Sequence, residues 1–376
     1  MIKIFLTGDN HIGLKYSNHS NASYIIKSRI DAFEDMVNAA NSECCSLFVV
    51  AGDLFENTYS IAKKDIKTIL DSLSQFNGTV AILPGNHDYY DSDTKLWKSF
   101  NDLIKNYDNI LLLNEYKAYE ITLGDNEVVL YPAFCASIHS LPNQNNLDWI
   151  KNENIVADNK FRLGLAHGAV EGETIDNEGV YFLMNRNELD SIPVDAWLIG
   201  HTHVPFPRDL SENEYKECGK IFNAGTHVQT DVACNTDGEC FIIDIQDNKC
   251  VKAKKYVSGK LRFYRFNLDV TGAKLEDKLN ETLQNIDDNS IVDIIISGAV
   301  DDEEYQNRFD IIEKALSRFV EGTYNEHKLS RLISKSLIDK EFNETSVTAQ
   351  LLTALIDEPK QAQLAYDMLQ SLKENK

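Results

Sequence analysis

Eight side chains that can bind a metal or move a proton stand just beyond the ends of five apolar runs. Asp9 and His11 follow Ile2 to Leu6, and Asp53 follows Leu47 to Val50. Asn86 and His87 follow Thr79 to Leu83, across the turn Pro84-Gly85. His167 follows Leu163 to Ala166, and His201 and His203 follow Ala196 to Ile199. Short apolar runs bounded by turn residues read as buried strands. Ligands of open α/β sheets bind at the carboxyl ends of such strands. Nitrogen and carboxylate donors suit manganese, iron or zinc rather than calcium. With His87 set aside, seven donors remain, too many for one tetrahedral zinc. They suit two ions bridged by a carboxylate, at the ~3.5–4 Å spacing of two-metal hydrolytic sites.

The elements that must carry these groups are legible as a β-α-β-α-β start. Strand 2–6 leads to a helix over 24–41, where Ile25, Ile26, Ile30, Phe33, Met36 and Val37 recur at helical spacing. Strand 47–51, a helix over 60–75 and strand 79–83 follow. Alternation of this kind gives parallel strands with helices on the sheet faces. A helix near 93–106 precedes short strands near 110–113, 117–122 and 127–131. Strands 162–166 and 195–199 bear the late histidines, and 240–245 with 250–256 read as a closing hairpin. The pattern changes at 258–262. Strand 263–270, a helix near 273–286, strand 291–297 and a helix near 302–319 follow, a small α+β unit. Two apolar stripes end the chain, Val347, Leu351, Ala354 and Leu355, then Leu364, Met368, Leu369 and Leu372, parted by Asp357-Glu358-Pro359.

In order, D-x-H, G-D, G-N-H-D, H-G and G-H-x-H resemble the calcineurin-like metallophosphoesterases. The resemblance implies a four-layer α-β-β-α sandwich with two divalent metal ions, manganese first and Fe²⁺, Zn²⁺ or Mg²⁺ as alternatives. It implies that Asp9, His11 and His203 hold one ion, that Asn86, His167 and His201 hold the other, and that Asp53 bridges both. His87 resembles the family's catalytic histidine, and histidine as a residue type suits proton transfer to a leaving alkoxide.

The layout is closer to one branch. A catalytic domain over 1–257, an α+β cap over 258–340 and a helical pair over 341–376 resemble the SbcD-type DNA-repair nucleases. That likeness implies a Mn-dependent exo- or endonuclease acting in double-strand-break repair. It also implies an SbcC-type coiled-coil ATPase as partner, docked by helices beyond the cap, and a homodimer. Two features stand apart. Glu56 occupies a position where many relatives carry histidine, so the role of that histidine does not transfer. Gly200-His201-Thr202-His203 is shared with unrelated phosphatases of the superfamily, which keeps a phosphoesterase acting on a small molecule or protein as the alternative.

Composition bounds the rest. The 376 residues carry a net charge of −22. Residues 1–257 hold −15 (22 basic against 37 acidic side chains) and residues 258–376 hold −7 (15 against 22). General acidity counts against a non-specific nucleic-acid binder, leaves a DNA enzyme open and predicts weak binding of DNA by the chain alone. Seven cysteines without a C-x-x-C pair predict a reducing, cytoplasmic setting. No signal peptide or membrane span is expected. Asp88 reads as a structural hydrogen-bond acceptor, and His19, His139 and His327 as surface residues. His227 is the remaining candidate to line the cleft. Lys15-Tyr16, Lys63-Lys64 and Tyr89-Tyr90 read as solvated loops.

Overall fold

Alternating strand residues face two different cores, and that alternation builds the layers. In strand β1 (Ile2–Thr7), Ile2, Ile4 and Leu6 join one apolar cluster while Phe5 joins another. In β2 (Leu47–Ala51), Leu47, Val49 and Ala51 take the first side, and Phe48 and Val50 the second. A sheet buried on both faces reads as a continuous apolar run, as these strands do. The computed structural model describes residues 1–156, 158–172, 176, 178–234 and 236–374.

The first sheet continues from β2 through helix α2 (Lys63–Ser74) to β3 (Thr79–Leu83), then through α3 (Lys95–Leu103) to β4 (Ile110–Leu112). Strands β1 to β4 pair in parallel. Helix α1 (Ala22–Ser42) packs with α2 and α3 on one face, through Phe33, Met36, Ile66, Ile69, Leu70, Trp97 and Phe100. The second sheet holds β5 (Tyr119–Leu123), β6 (Asn126–Ala133), β7 (Phe161–His167), β8 (Ala196–Gly200) and, beyond the short β9 (Lys216–Glu217), β10 (Ile221–Asn223). Its order is β10-β8-β7-β6-β5. Strands β11 (Glu239–Ile245) and β12 (Val251–Val257) return to the first sheet, whose order is β4-β3-β2-β1-β11-β12-β9.

The inner faces of the two sheets share one core. Ile4, Leu6, Val49, Leu83 and Ile243 meet Leu130, Leu163, Leu165, Leu198 and Phe222. Short helices α4 (Asp148–Lys151) and α5 (Arg186–Ser191) cover the outer face of the second sheet through Ile150 and Leu189, against Tyr131 and Trp197. The order of layers is therefore α-β-β-α.

Residues Met1–Leu261 form one compact unit and Arg262–Lys376 a second. In the second, β13 (Arg262–Asp269), β14 (Ser290–Val300) and β15 (Glu321–Arg331) form a parallel sheet in that order. Helices α6 (Leu275–Leu283) and α7 (Asp302–Leu316) cover one face through Leu275, Leu279, Ile312 and Leu316. Strand β15 was not expected. It is an edge strand of Glu-Gly-Thr-Tyr-Asn-Glu-His-Lys-Leu-Ser-Arg, too polar to show in an apolar pattern. The chain ends in α8 (Lys335–Glu341), α9 (Val347–Ala354) and α10 (Pro359–Glu374). These share a small core of Ile333, Leu337, Ile338, Ala349, Leu352, Ala362 and Tyr366. Of the expected helical pair, residues 375 and 376 lie outside the described residues. Among the described residues no helix is long and apolar enough to cross a membrane.

Leu165 is fully buried between the sheets. Leu165→Ala should cost about 2–5 kcal/mol of unfolding free energy. All three tryptophans, Trp97, Trp149 and Trp197, lie in the first unit. Urea unfolding followed by tryptophan fluorescence therefore reads that unit alone, and a midpoint unchanged by the substitution would contradict this core.

Candidate metal centre

The parallel strands of both sheets end on one side, and their carboxyl ends meet there. A Cβ built on Gly200, at the end of β8, would lie 2.0 Å from the Ala51 carbonyl oxygen at the end of β2. A Cβ on Gly52 would lie 2.0 Å from His167 Nδ1, and Gly52 has a φ of +90°. Only glycine fits such an approach. The turns after the strands are tight enough to force non-glycine residues into left-handed backbone. Asp9, His11, Asp53, His201 and His203 have φ of 48°, 45°, 51°, 113° and 52°. Each costs on the order of 1–3 kcal/mol, and such strain concentrates at functional sites.

The donors converge in two halves. In the first, the ligand atoms of Asp9, His11 and His203 lie within 4.8 Å of one another. His11 Nε2 is 2.9 Å from His203 Nε2. In the second, Asp53, His167 and His201 cluster by the same measure. Asn86 Oδ1 sits 3.0 Å from both His167 Nε2 and His201 Nδ1. Asp53 stands between the halves. Its Oδ1 accepts the His87 amide at 2.8 Å. Its Oδ2 is 3.9 Å from His11 Nε2 and 3.2 Å from His167 Nε2. A further cluster of His11, Asp53 and His87 brings His87 to the same centre.

This donor set fits divalent cations. His167 Nδ1 faces the Ala51 carbonyl at 2.9 Å. His11 Nδ1 faces Glu56 Oε2 at 3.0 Å. Each acceptor fixes the proton on Nδ1 and turns the Nε2 lone pair inward, the usual arrangement behind a metal-ligating histidine. The inward atoms then repel one another unless positive charge lies between them. Protonation supplies that charge where it can. Burial alone would lower His167, yet Asp53 outweighs it and lifts His167 to about 9. Burial would raise Asp53, but His167, His11 and His87 hold it far below the carboxylate range. His201 is pushed down to about 3 by burial and by His167, and so stays neutral. Burial, with help from His11 and Arg29, also lowers His203.

All eight expected residues thus meet at one centre. His87 is the most open of them with His203, its side chain 43% exposed. Its Nδ1 donates to the Glu56 carbonyl at 3.1 Å. Asp88 takes the structural place expected of it. Its oxygens accept the Gly85 amide at 2.7 Å and the Phe55 amide at 3.0 Å, locking the two ligand loops together. Burial, and then Asp53, push its carboxyl up to about 7 against those amides. His227 does not line the cleft. It is fully buried, with Nε2 3.2 Å from the Arg29 carbonyl and its ring against Phe33. His139 is exposed, with its ring on Tyr181, and Tyr181 in turn lies 5.1 Å from the His201 ring. Sequence reasoning left Glu56 without a role. A carboxylate three residues after Asp53 was the available signal.

Strand-end ligands on an α-β-β-α sandwich define a hydrolase that acts on phosphoesters with divalent metal ions. Residues 2–205 match the family described as calcineurin-like phosphoesterase, and this chain belongs to it. Among solved structures, it is similar to TT1561 of Thermus thermophilus, at 10% identity and a TM-score of 0.41, covering 67% of this chain and 97% of that one. It is also similar to a dimetal phosphatase from Danio rerio, at 11% identity and a TM-score of 0.35, covering 68% and 98%. No curated protein matches the sequence.

Elemental analysis of the purified chain should find two divalent ions, and Asp53→Ala should lose both, because one carboxylate faces both halves. Removing the ions should lower the melting temperature. Free metal at a hundred times its Kd favours the native state by about 2.7 kcal/mol per site. Glu56→Ala should weaken one ion by about 10–100-fold, as loss of a ligand's own hydrogen-bond partner does. One ion in the wild type, or two retained in Asp53→Ala, would contradict the arrangement.

Proposed function

We propose that this chain is a Mn²⁺-dependent two-metal phosphodiesterase that cleaves DNA in double-strand-break repair, of the SbcD type. The observation that carries the reading is the pairing of a complete two-ion donor set with a second α/β unit that runs on from Arg262. A small phosphoesterase needs only the first unit.

Metal bound at the two halves would supply an activated water and polarise the phosphoryl oxygens. The chain's own groups do the rest. Asp53 Oδ1 fixes the His87 backbone amide, so the histidine cannot drift from the centre. With the proton of Nδ1 committed to the Glu56 carbonyl, Nε2 is the atom left to pass a proton to the leaving oxygen. The partial exposure of His87 suits a group that must meet a large substrate. His167, His201 and Asn86 lie deeper and orient rather than exchange.

The proposal extends to partners. Val347 is 83% exposed, and Leu351, Leu364, Met368 and Leu372 are exposed beside it on α9 and α10. The opposite faces of both helices are already used, by Ala349, Leu352, Ala362 and Tyr366. Leu355 leaves the expected docking stripe, since it packs on that internal core. The remaining apolar residues are those that a helix-in-groove contact would take. We assign them to a coiled-coil ATPase of SbcC type, which would also supply the basic surface this acidic chain lacks. The chain would dimerise through its first unit.

Two measurements test this. His87→Ala should keep both ions and the fold yet lose about 10²–10⁴-fold in turnover. An emptied site would make His87 a ligand. Wild-type protein with Mn²⁺ should cut duplex DNA, slowly and with weak binding. Turnover of small phosphomonoesters or cyclic nucleotides, with none on DNA, would move the assignment to a small-molecule phosphoesterase. For the partner, deleting 345–376 would strip Ile333, Leu337 and Ile338 of their own core, so charged substitutions are cleaner. Leu364→Glu with Met368→Glu should leave melting and DNA cleavage intact and abolish co-purification with the ATPase. Unchanged co-purification would reject the docking assignment.

A further inference from the structure

Arg29 is a charged residue on the buried face of α1, beside Ile25, Phe33 and Met36. Its relative exposure is 3%. Burying a guanidinium is costly unless its donors are used. Nε donates to the Asn10 carbonyl at 2.6 Å, and Nη1 donates to the Tyr16 hydroxyl at 2.8 Å. Nη2 has no hydrogen-bond partner among the described residues. So the cation is not there for a surface partner. Its short bond goes to the one residue between two metal donors.

That residue sits in a strained turn. Asp9 and His11, on either side of Asn10, both have left-handed backbone. Non-glycine residues keep such a conformation only where the surroundings over-determine it. The Asp9 amide is held by the Gly52 carbonyl at 3.1 Å, and the His11 amide by the Asp53 carbonyl at 2.9 Å. Thr226 Oγ1 donates to the Asp9 carbonyl at 3.0 Å. The Asn10 carbonyl lies between these two anchored residues, and Arg29 takes it. The fork of an arginine can hold that carbonyl and Tyr16 together, which a lysine cannot do in the same geometry. No hydrogen bond links Arg29 to Asn86, His167 or His201 among the described residues. Its hold is on one half of the centre.

We propose that Arg29 is a positioning residue for the half of the metal centre built by Asp9, His11 and His203. It fixes the Asp9-Asn10-His11 turn from behind so that both donors face one ion. The assignment rests on the two-ion reading of the site, and it goes beyond it by predicting that the halves can be weakened separately.

The test is calorimetric titration of the metal-stripped full chain with Mn²⁺, joined to manganese EPR. Wild type should take up two ions and show a spin-coupled pair. Arg29→Met should bind one ion with wild-type affinity and the other about 10–100-fold more weakly. At two ions per chain its coupled signal should be diminished. Arg29→Lys should recover part of the loss, and Tyr16→Phe should show a smaller one. Two wild-type affinities in Arg29→Met, or equal weakening of both sites, would overturn the proposal. If metal-free Arg29→Met does not fold, Arg29→Lys and Tyr16→Phe decide, and wild-type binding of both ions by each would overturn it. Fewer than two ions in the wild type would defeat the two-ion reading itself, which is a separate and recognisable result.

Discussion

The close approach of two sheets at the Ala51 carbonyl is the constraint on which the first unit depends. That oxygen accepts His167 Nδ1 at 2.9 Å and leaves no room for a side chain on Gly200. Strands from different sheets therefore end within a few ångströms of each other. Donors on β1, β2 and β3 can meet donors on β7 and β8 only because of it. The shared core of Leu and Ile residues between the sheets keeps that separation fixed. Packing and chemistry are thus one problem here: a wider core would part the two halves of the centre.

Convergence has an electrostatic consequence. Asp9, Asp53 and Asp88 are all buried within one small volume. Burial acts first on each, and it raises Asp9 as it raises Asp88. Asp53 escapes through its histidines, and His167 takes up the balancing proton. The chain alone can only partly neutralise its own site. Divalent cations complete the neutralisation, which is why metal affinity and fold stability are linked in this unit. The left-handed turns at Asp9, His11, Asp53, His201 and His203 belong to the same balance. Backbone strain that would be a liability elsewhere is tolerated where tight hydrogen bonds hold it.

The centre was legible in the sequence because its ligands come from strand ends. A buried strand writes an apolar run, and a donor just beyond it stands out against that background. This is how Asp9, Asp53, His167 and His201 were placed without a structure. The helices α1 and α2 were legible for the same reason, through their apolar stripes. Asp88 apart, what failed to show was the support that acts from behind. Arg29 sits within a helical stripe and looks like an interruption of it. Glu56 looks like any loop acid, and its contact with His11 spans 45 residues. His227 sits near the late motifs in sequence, but its Nε2 turns to Arg29 rather than to the cleft. Strand β15 was missed for a different reason. At a sheet edge with one face open, a strand needs few apolar residues, and Leu329 is buried while Gly322, Thr323 and Asn325 are exposed.

The terminal helices show how one sequence stripe can hide two surfaces. Read as a pattern, the apolar residues of 347–372 could serve the chain's own core or a partner, and the two uses look alike. Isolated helices of the lengths of α9 and α10 are marginal in water. They must therefore be packed, and they are, against Ile333, Leu337 and Ile338. This packing uses Ala349, Leu352, Ala362 and Tyr366, with Leu355 and Leu369 partly buried against them, and leaves Val347, Leu364, Met368 and Leu372 in solvent. Burial scales with apolar area, so these outward side chains add little to closing the unit, and one apolar pattern in the sequence covers both an inward and an outward face.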